Sequence, residues 1–189
     1  MKVGILGGSF NPIHTGHLIL AEEAREKLKL DKVFFIPIYQ PVHKEAKDLL
    51  AAEKRLRMVK LAISGNPYFE ALDIEVRRKG RSYTIDTLRD LRRLYPKVDK
   101  FFFIVGSDAL NYLDSWKDIK EVMKLAKFVV ASRPNYPLKD ISGNVLPLVI
   151  EPVDISGYRL RQRLKDNESV RYYLPESVYR YIVKEGLYR

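Results

Sequence analysis

The chain has 189 residues, and 34 lysines and arginines against 24 aspartates and glutamates give it a formal charge of +10. It contains no cysteine, which excludes disulfides, thiolate metal sites and thiol catalysis, and no apolar run approaches the roughly 18 residues needed to span a bilayer. The apolar stretch before Gly7 is too short for a secretory leader, so a cytoplasmic location is expected, and 46% hydrophobic with 31% charged residues is the balance of a folded chain rather than a disordered one.

Strand-like and helix-like segments alternate from the start. Lys2–Leu6 reads as an apolar strand, followed by a loop that begins with a Gly7-Gly8 turn and ends near Pro12. From Thr15 to Leu28 the apolar residues Leu18, Leu20, Ala21, Ala24 and Leu28 recur at helical spacing. Val33–Pro37 reads as a buried strand stopped by proline. A loop through Pro41, Val42, His43 and Lys44 leads to a helix expected over Ala46–Ile63. Glu70–Val76 alternates like a strand, and Ile85–Leu94 is an amphipathic helix ended by Tyr95-Pro96. Phe101–Val105 is a fully apolar strand running into Gly106-Ser107-Asp108. Helical pieces follow at Ala109–Leu113 and Trp116–Leu125, then strands at Phe128–Ala131 and Leu146–Ile150, with Pro134–Gly143 a long loop between them. Two helices close the pattern, near Tyr158–Leu164 and Glu176–Lys184.

Continuous apolar strands alternating with helices predict a doubly wound α/β architecture, a mostly parallel sheet covered by helices on both faces. No repeat, low-complexity run or linker divides the chain, so residues 1–189 are expected to form a single domain with the helical segment from about 156 to 189 packed on it. In such sheets ligands bind beyond the carboxyl ends of the strands, where strand order reverses. The strand-to-helix loops are therefore where function should be sought.

The basic excess is compatible with nucleic acid, an anionic membrane or small phosphorylated ligands. It is dispersed, +6 over residues 1–95 and +4 over 96–189, with no basic arm; its densest stretch is Arg77-Arg78-Lys79-Gly80-Arg81. Two familiar phosphate loops are absent: no glycine is followed by Lys and Ser or Thr in the P-loop frame, and Gly4, Gly7 and Gly8 do not make a dinucleotide fingerprint. What remains is a glycine pair after the first strand, then His14 and His17 three residues apart at a helix start. Glycines there allow positive φ and close approach of backbone N–H groups to a ligand. A helix N-terminus favours a phosphate, and two imidazoles on one helical turn can both donate to it, with Gly16 between them leaving the surface open. A zinc site would need a further ligand, and none stands at suitable spacing.

Taken together, Gly7-Gly8-Ser9-Phe10-Asn11-Pro12-Ile13-His14-Thr15-Gly16-His17 resembles the signature of the nucleotidyltransferase superfamily with an H-x-G-H motif, whose members join a substrate phosphate to the α-phosphate of a nucleoside triphosphate and release pyrophosphate. Gln40-Pro41-Val42-His43-Lys44 is similar to the P-P-H-[KR] loop of bacterial nicotinate-nucleotide adenylyltransferases. Ser82–Leu88, Ile104–Leu110 with Trp116 following, and Ile155–Arg161 likewise resemble blocks of that family. The resemblance spans residues 3 to about 164.

The resemblance implies a Rossmann-like nucleotidyltransferase fold and transfer of AMP from ATP to nicotinate mononucleotide. It assigns catalytic roles to His14, His17, Lys44 and Arg161. ATP would lie against Gly7, Gly8, Ser9, Phe10, His14, His17, Gly106, Asp108, Ser156 and Arg161. The acceptor would lie against His43, Lys44, Tyr83, Thr84, Asp108, Trp116 and Arg133. Mg²⁺ is implied as a cofactor held mainly through ATP phosphates, without a protein metal site. Each residue also has a plainer role: Thr84, Asp86, Asp108 and Ser156 as helix caps, Trp116 as core, His43-Lys44 as surface loop. Arg159, Arg163 and Lys165 are read as solvent-facing. The sequence departs from the family at Gly157 and Tyr158, where small hydroxyl residues are usual, and at Lys117, where many members have an aromatic residue. The same chemistry on nicotinamide mononucleotide or phosphopantetheine is the near alternative. A basic nucleic-acid-binding α/β module is the alternative from another class, although no basic-aromatic stacking platform supports it. No membrane or nucleic-acid partner is expected, and a homo-oligomer is compatible with the sequence.

Overall fold

The computed structural model describes residues 1–42, 48–132, 145–151 and 153–189. The apolar runs form six parallel strands: β1 (Lys2–Gly8), β2 (Lys32–Pro37), β3 (Phe69–Ala71), β4 (Lys100–Gly106), β5 (Lys127–Ala131) and β6 (Val145–Leu148), in the order β3-β2-β1-β4-β5-β6. Seven helices are described: α1 (Thr15–Leu28), α2 (Ala52–Ala62), α3 (Ile74–Arg78), α4 (Thr84–Leu94), α5 (Ile119–Leu125), α6 (Gly157–Lys165) and α7 (Glu176–Lys184), with a 3₁₀ segment at Ser107–Ser115. The architecture is the doubly wound sheet that the sequence pattern predicts.

Alternate side chains of each strand serve opposite faces. Leu6, Val33, Phe35, Phe102, Ile104 and Val129 pack on one side with Ala21 and Ala24 of α1, Met58 and Val59 of α2, Leu160 of α6, and Val178 and Ile182 of α7. Val3, Ile5, Phe34, Phe101, Phe103 and Phe128 pack on the other with Leu88 and Leu91 of α4 and Val122 of α5. Both faces being covered is why the strands read as unbroken apolar runs. At Gly4 a Cβ would come within 2.8 Å of Leu30 Cδ1, so a glycine lets the chain after α1 close on the sheet. Strand order reverses at the centre: β1 leads outward to β2 and, after the crossovers, the chain returns to β1's other edge as β4. The loops after β1 and β4 therefore open side by side at the carboxyl end of the sheet.

Four sequence expectations are corrected. The strand expected over Glu70–Val76 ends at Ala71, and α3 occupies Ile74–Arg78. β3 is an edge strand paired only to β2, and Leu72 N–H adds a last bond to Phe35 O before the chain turns at Asp73. Leu72, Ile74 and Val76 are all buried, which alternation alone could not distinguish from a strand. The helix expected from Ala46 begins at Ala52; Ala46 itself lies outside the described residues, and Asp48 and Leu50 are held off the helix by hydrogen bonds to Asn11. The piece expected at Trp116–Leu125 is helical only from Ile119, because Trp116 is extended and Asp118 takes a positive φ of 52°. Gly7 and Gly8 form no turn. They continue β1 in register with Ile36 and Pro37, and the left-handed backbone falls on Phe10, at φ 46°. The long loop expected at Pro134–Gly143 lies outside the described residues.

Candidate active site

The segment between β1 and α1 is bound on every side. Asn11 is its hub. Its side-chain Nδ2 donates to Asp48 O at 2.7 Å, and its Oδ1 accepts Leu50 N–H at 3.3 Å and the buried Tyr188 hydroxyl at 2.8 Å. Its carbonyl accepts Arg161 Nη1 at 2.8 Å. Phe10 is 1% exposed, and its ring meets Phe35 at 6.0 Å and, edge-on, His17 at 5.1 Å between centroids. Gly8 lies beside that ring, where a Cβ would make ordinary contact with it at 3.4 Å.

His14 is the N-cap of α1, with extended backbone, and His17 lies in the first turn. The two imidazoles stack, with centroids 3.7 Å apart and planes 29° from parallel. His14 N–H donates to His17 Nδ1 at 3.2 Å. An acceptor Nδ1 carries no proton, so the neutral His17 ring presents its proton at Nε2. Gly16 separates the pair for a steric reason: a Cβ there would lie 3.2 Å from His14 Nδ1 and 3.3 Å from Cε1, with Val153 Cγ1 at 3.5 Å. Thr15 is tied through its N–H and hydroxyl to Tyr173 O, both at 3.0 Å. Two imidazoles at a helix N-terminus, beside the reversal of strand order, make a donor set for an anion.

Arg161 reaches this segment from α6. Beyond its bond to Asn11 O, its Nε is buried without a hydrogen-bond partner among the described residues. Gly157 explains the approach, because a Cβ there would sit 3.3 Å from Asn11 O and 3.8 Å from Arg161 Nη1. The missing hydroxyl at this position thus lets α6 close on the histidine-bearing segment. Tyr158 is exposed, with the Arg161 guanidinium 5.9 Å from its ring centre. Ser156 is the N-cap of α6 but its hydroxyl makes no capping bond. Arg159, Arg163 and Lys165 face solvent and pair with Asp154, Glu168 and Asp48.

Gly106 ends β4 two residues past Ile104, which pairs with Leu6 of β1. Asp108 follows, half-buried in the first 3₁₀ turn. On the far side of β2, Tyr39 N–H donates to Ser82 Oγ at 2.9 Å and Ser82 N–H to Gln40 O at 2.9 Å, joining that segment to the start of α4. Tyr83 is the N-cap of α4 and Thr84 its first residue. Lys117 Nζ lies 4.7 Å from the centre of the Tyr83 ring and 3.5 Å from Asp86. Trp116 packs edge-on against Phe103 and Phe128, at 5.9 and 5.8 Å. Its Nε1 is buried without a hydrogen-bond partner among the described residues. His43, Lys44 and Arg133, named from the sequence, lie outside the described residues.

The structure also brings in residues the sequence did not single out. Arg55 of α2 is fully buried, and its helical spacing with Ala52, Met58 and Val59 is the signal by which it could have been found. Glu75 is 6% exposed and accepts Thr87 Oγ1 at 2.6 Å; burial pushes its carboxyl above the ordinary range, outweighing the hydroxyls of Ser82 and Thr87 and the charges of Arg78 and Arg55. Burial likewise pushes the Tyr188 phenol up, against the pull of Arg161 and Arg55. Nothing in the pattern around Glu75 or Tyr188 announces either. In the basic stretch, Arg78 bonds Asp90 and Thr87 and Arg77 pairs with Asp73, so these two cations are engaged within the fold.

The model of the cytidylyltransferase-like family matches residues 5–163. A probable nicotinate-nucleotide adenylyltransferase of Thermus thermophilus is 44% identical over 189 residues, covering all of both chains. One from Dehalococcoides mccartyi is 42% identical over 198 residues, covering all of this chain and 97% of the other. Among solved structures, Plasmodium falciparum nicotinic acid mononucleotide adenylyltransferase complexed with NaAD superposes with a TM-score of 0.83 at 20% identity, covering 99% of this chain and 97% of that one. That last likeness is one of fold.

Proposed function

The chain belongs to the cytidylyltransferase-like family and, within it, to the nicotinate-nucleotide adenylyltransferases, and on that footing we propose that it transfers AMP from ATP to nicotinate mononucleotide. A phosphate oxygen of the mononucleotide attacks the α-phosphorus. The bond from that phosphorus to the β-phosphate bridging oxygen breaks, and the electron pair leaves with pyrophosphate. The product is nicotinate adenine dinucleotide. A phosphate monoester has its second pKa near ~6, so the acceptor is already a dianion at neutral pH and needs no general base. The work left to the protein is positioning and stabilisation of charge.

The observation that carries the reading is the stacked His14–His17 pair at the start of α1, with Arg161 bound to the same segment. His17 Nε2–H and the His14 ring supply donors to the triphosphate, and Arg161 adds a fixed cation. Gly7, Gly8, Ser9, Phe10, Gly106, Asp108 and Ser156 are assigned to the ATP side. Tyr83, Thr84, Asp108 and Trp116 are assigned to the acceptor side, joined there by His43, Lys44 and Arg133, with Lys44 also catalytic. No group of three or more His, Cys, Asp or Glu able to hold a metal ion occurs among the described residues. Mg²⁺ would arrive with ATP, held mainly through its phosphate oxygens. Bound there, it would offset charge on the departing pyrophosphate.

The test is pyrophosphate release with nicotinate mononucleotide, nicotinamide mononucleotide and phosphopantetheine as acceptors. Nicotinate mononucleotide should give the highest kcat/KM, and either alternative exceeding it would reassign the acceptor. His14→Ala and His17→Ala should each lower kcat by about 10²–10³-fold, the scale for losing one preorganised donor. Either variant turning over at the wild-type rate would remove that histidine from the site.

A further inference from the structure

We propose that Arg55 is a positioning residue that fixes the ATP-side segment against the acceptor-side segment through three backbone carbonyls. Its Nη1 donates to Ser9 O at 2.8 Å, its Nη2 to Tyr39 O at 3.0 Å and its Nε to Leu50 O at 2.8 Å. Each guanidinium nitrogen thus holds a different stretch of chain. Ser9 follows β1 and precedes the two histidines; Tyr39 follows β2 and is bonded to Ser82 beside the start of α4; Leu50 is also held by Asn11. The side chain is 0% exposed and makes no ion pair among the described residues. Among the described residues its hydrogen bonds all run to backbone carbonyls. A buried cation without a carboxylate is a costly way to fill space, and a leucine at this place on α2 would serve packing better. What a leucine cannot do is hold three loop carbonyls with planar, fixed geometry. Desolvation lowers the affinity of the guanidinium for its proton, and Glu53, Glu75 and Tyr188 act against that.

The consequence bears on the transfer reaction proposed above, on which the kinetic part of this inference rests. ATP and the mononucleotide are held by different segments, so the distance of attack depends on how those segments are set relative to one another. A misplacement of about 1 Å can cost about 10²-fold in rate. Arg55 sets that distance without touching either substrate.

The experiment compares Arg55→Lys, Arg55→Ala and, as a control, Arg57→Lys at an exposed position on the opposite face of α2. Steady-state kinetics with ATP and nicotinate mononucleotide are read together with backbone hydrogen exchange. In Arg55→Lys, which keeps the charge but not the fork, kcat should fall by about 100-fold while both KM values change far less. Exchange should quicken at residues 8–12, 39–41 and 48–50 with the central strands unchanged. Millimolar guanidinium chloride should restore part of the turnover of Arg55→Ala and none of any loss in Arg57→Lys. Wild-type kcat in Arg55→Lys, or exchange that rises evenly over the whole chain, would overturn the proposal. Should the wild-type protein fail to use nicotinate mononucleotide, the proposed reaction falls, and the exchange pattern alone decides whether Arg55 fixes these segments.

Discussion

Replacing Gly16 with alanine would put a Cβ atom 3.2 Å from Nδ1 and 3.3 Å from Cε1 of His14, with Val153 Cγ1 at 3.5 Å. Ordinary contact begins at 3.4 Å, so the shortfall against His14 is about 0.2 Å, and Val153 leaves the new methyl little room to retreat. The imidazole must move instead. It is 7% exposed and stacked on His17 at 3.7 Å, so any displacement is passed to the second ring. With about 10²-fold lost per ångström of misplacement, 0.2 Å corresponds to roughly 3-fold in kcat for one ring, and up to ~10-fold if both donors move. Stability should follow the opposite course. Gly16 carries no positive φ, and a glycine-to-alanine change at a compatible helical position stabilises by ~0.4–1 kcal/mol through the unfolded chain. Crowding offsets part of that gain, leaving a net change within ~1 kcal/mol and a Tm shift within ~4 °C. Steady-state turnover at saturating ATP and nicotinate mononucleotide, measured beside a thermal melt, separates the two effects. An alanine variant with wild-type kcat would refute the claim that this glycine keeps the imidazoles in place.

Tyr188→Phe removes the hydroxyl that donates to Asn11 Oδ1 but leaves that oxygen the Leu50 N–H. The variant should lose ~0.5–1.5 kcal/mol of stability, read as a lower urea midpoint with an unchanged m-value. Glu75 titrates with a raised folded-state pKa, so its proton is bound more tightly in the native state and its contribution runs opposite to that of a salt-bridged carboxylate. The stabilisation is complete below the ordinary carboxylate range and is lost as pH rises through the raised value. Glu75→Gln should therefore flatten the decline, gaining on the wild type with increasing pH in urea midpoints taken across that interval. A difference in midpoint, variant minus wild type, that falls as pH rises would contradict the burial argument.

What the sequence made legible follows from what burial does to sequence. β1, β2, β4 and β5 are covered on both faces and could be read as apolar runs, whereas β3 is three residues at an edge and leaves hardly a pattern. The histidine loop was legible as a motif, yet its glycines were misread. None takes a left-handed torsion, Gly7 and Gly8 continue the strand, and the one tight demand for space is at Gly16 beside His14. Asn11 belongs to the same motif, but its four hydrogen bonds run to residues 37 to 177 positions away, and no local spacing encodes such partners. Arg55 and Arg57 look alike in composition. Only the helical stripe with Ala52, Met58 and Val59 distinguishes the buried one. The dispersed charge of +10 had suggested a polyanion in general, and the cations that matter to the site act chiefly by where their carbonyl partners are.

Phe10 shows why those partners are needed. A left-handed backbone costs a non-glycine residue ~1–2 kcal/mol, and Phe10 sits at φ 46° between Ser9 and Asn11. Full burial of a phenylalanine side chain returns ~1.5–3 kcal/mol, already comparable with the strain. The carbonyls on either side are then each held by a guanidinium, Arg55 on Ser9 O and Arg161 on Asn11 O, both at 2.8 Å. Hydrogen bonds to charged groups contribute ~1.5–3 kcal/mol apiece, so the conformation is over-determined by more than its cost. The two arginines come from α2 and α6, which lie on the same side of the sheet. The turn that delivers His14 and His17 is thus fixed by the folded protein before any nucleotide binds, and loss of either guanidinium should relax Phe10 first and the imidazoles after it.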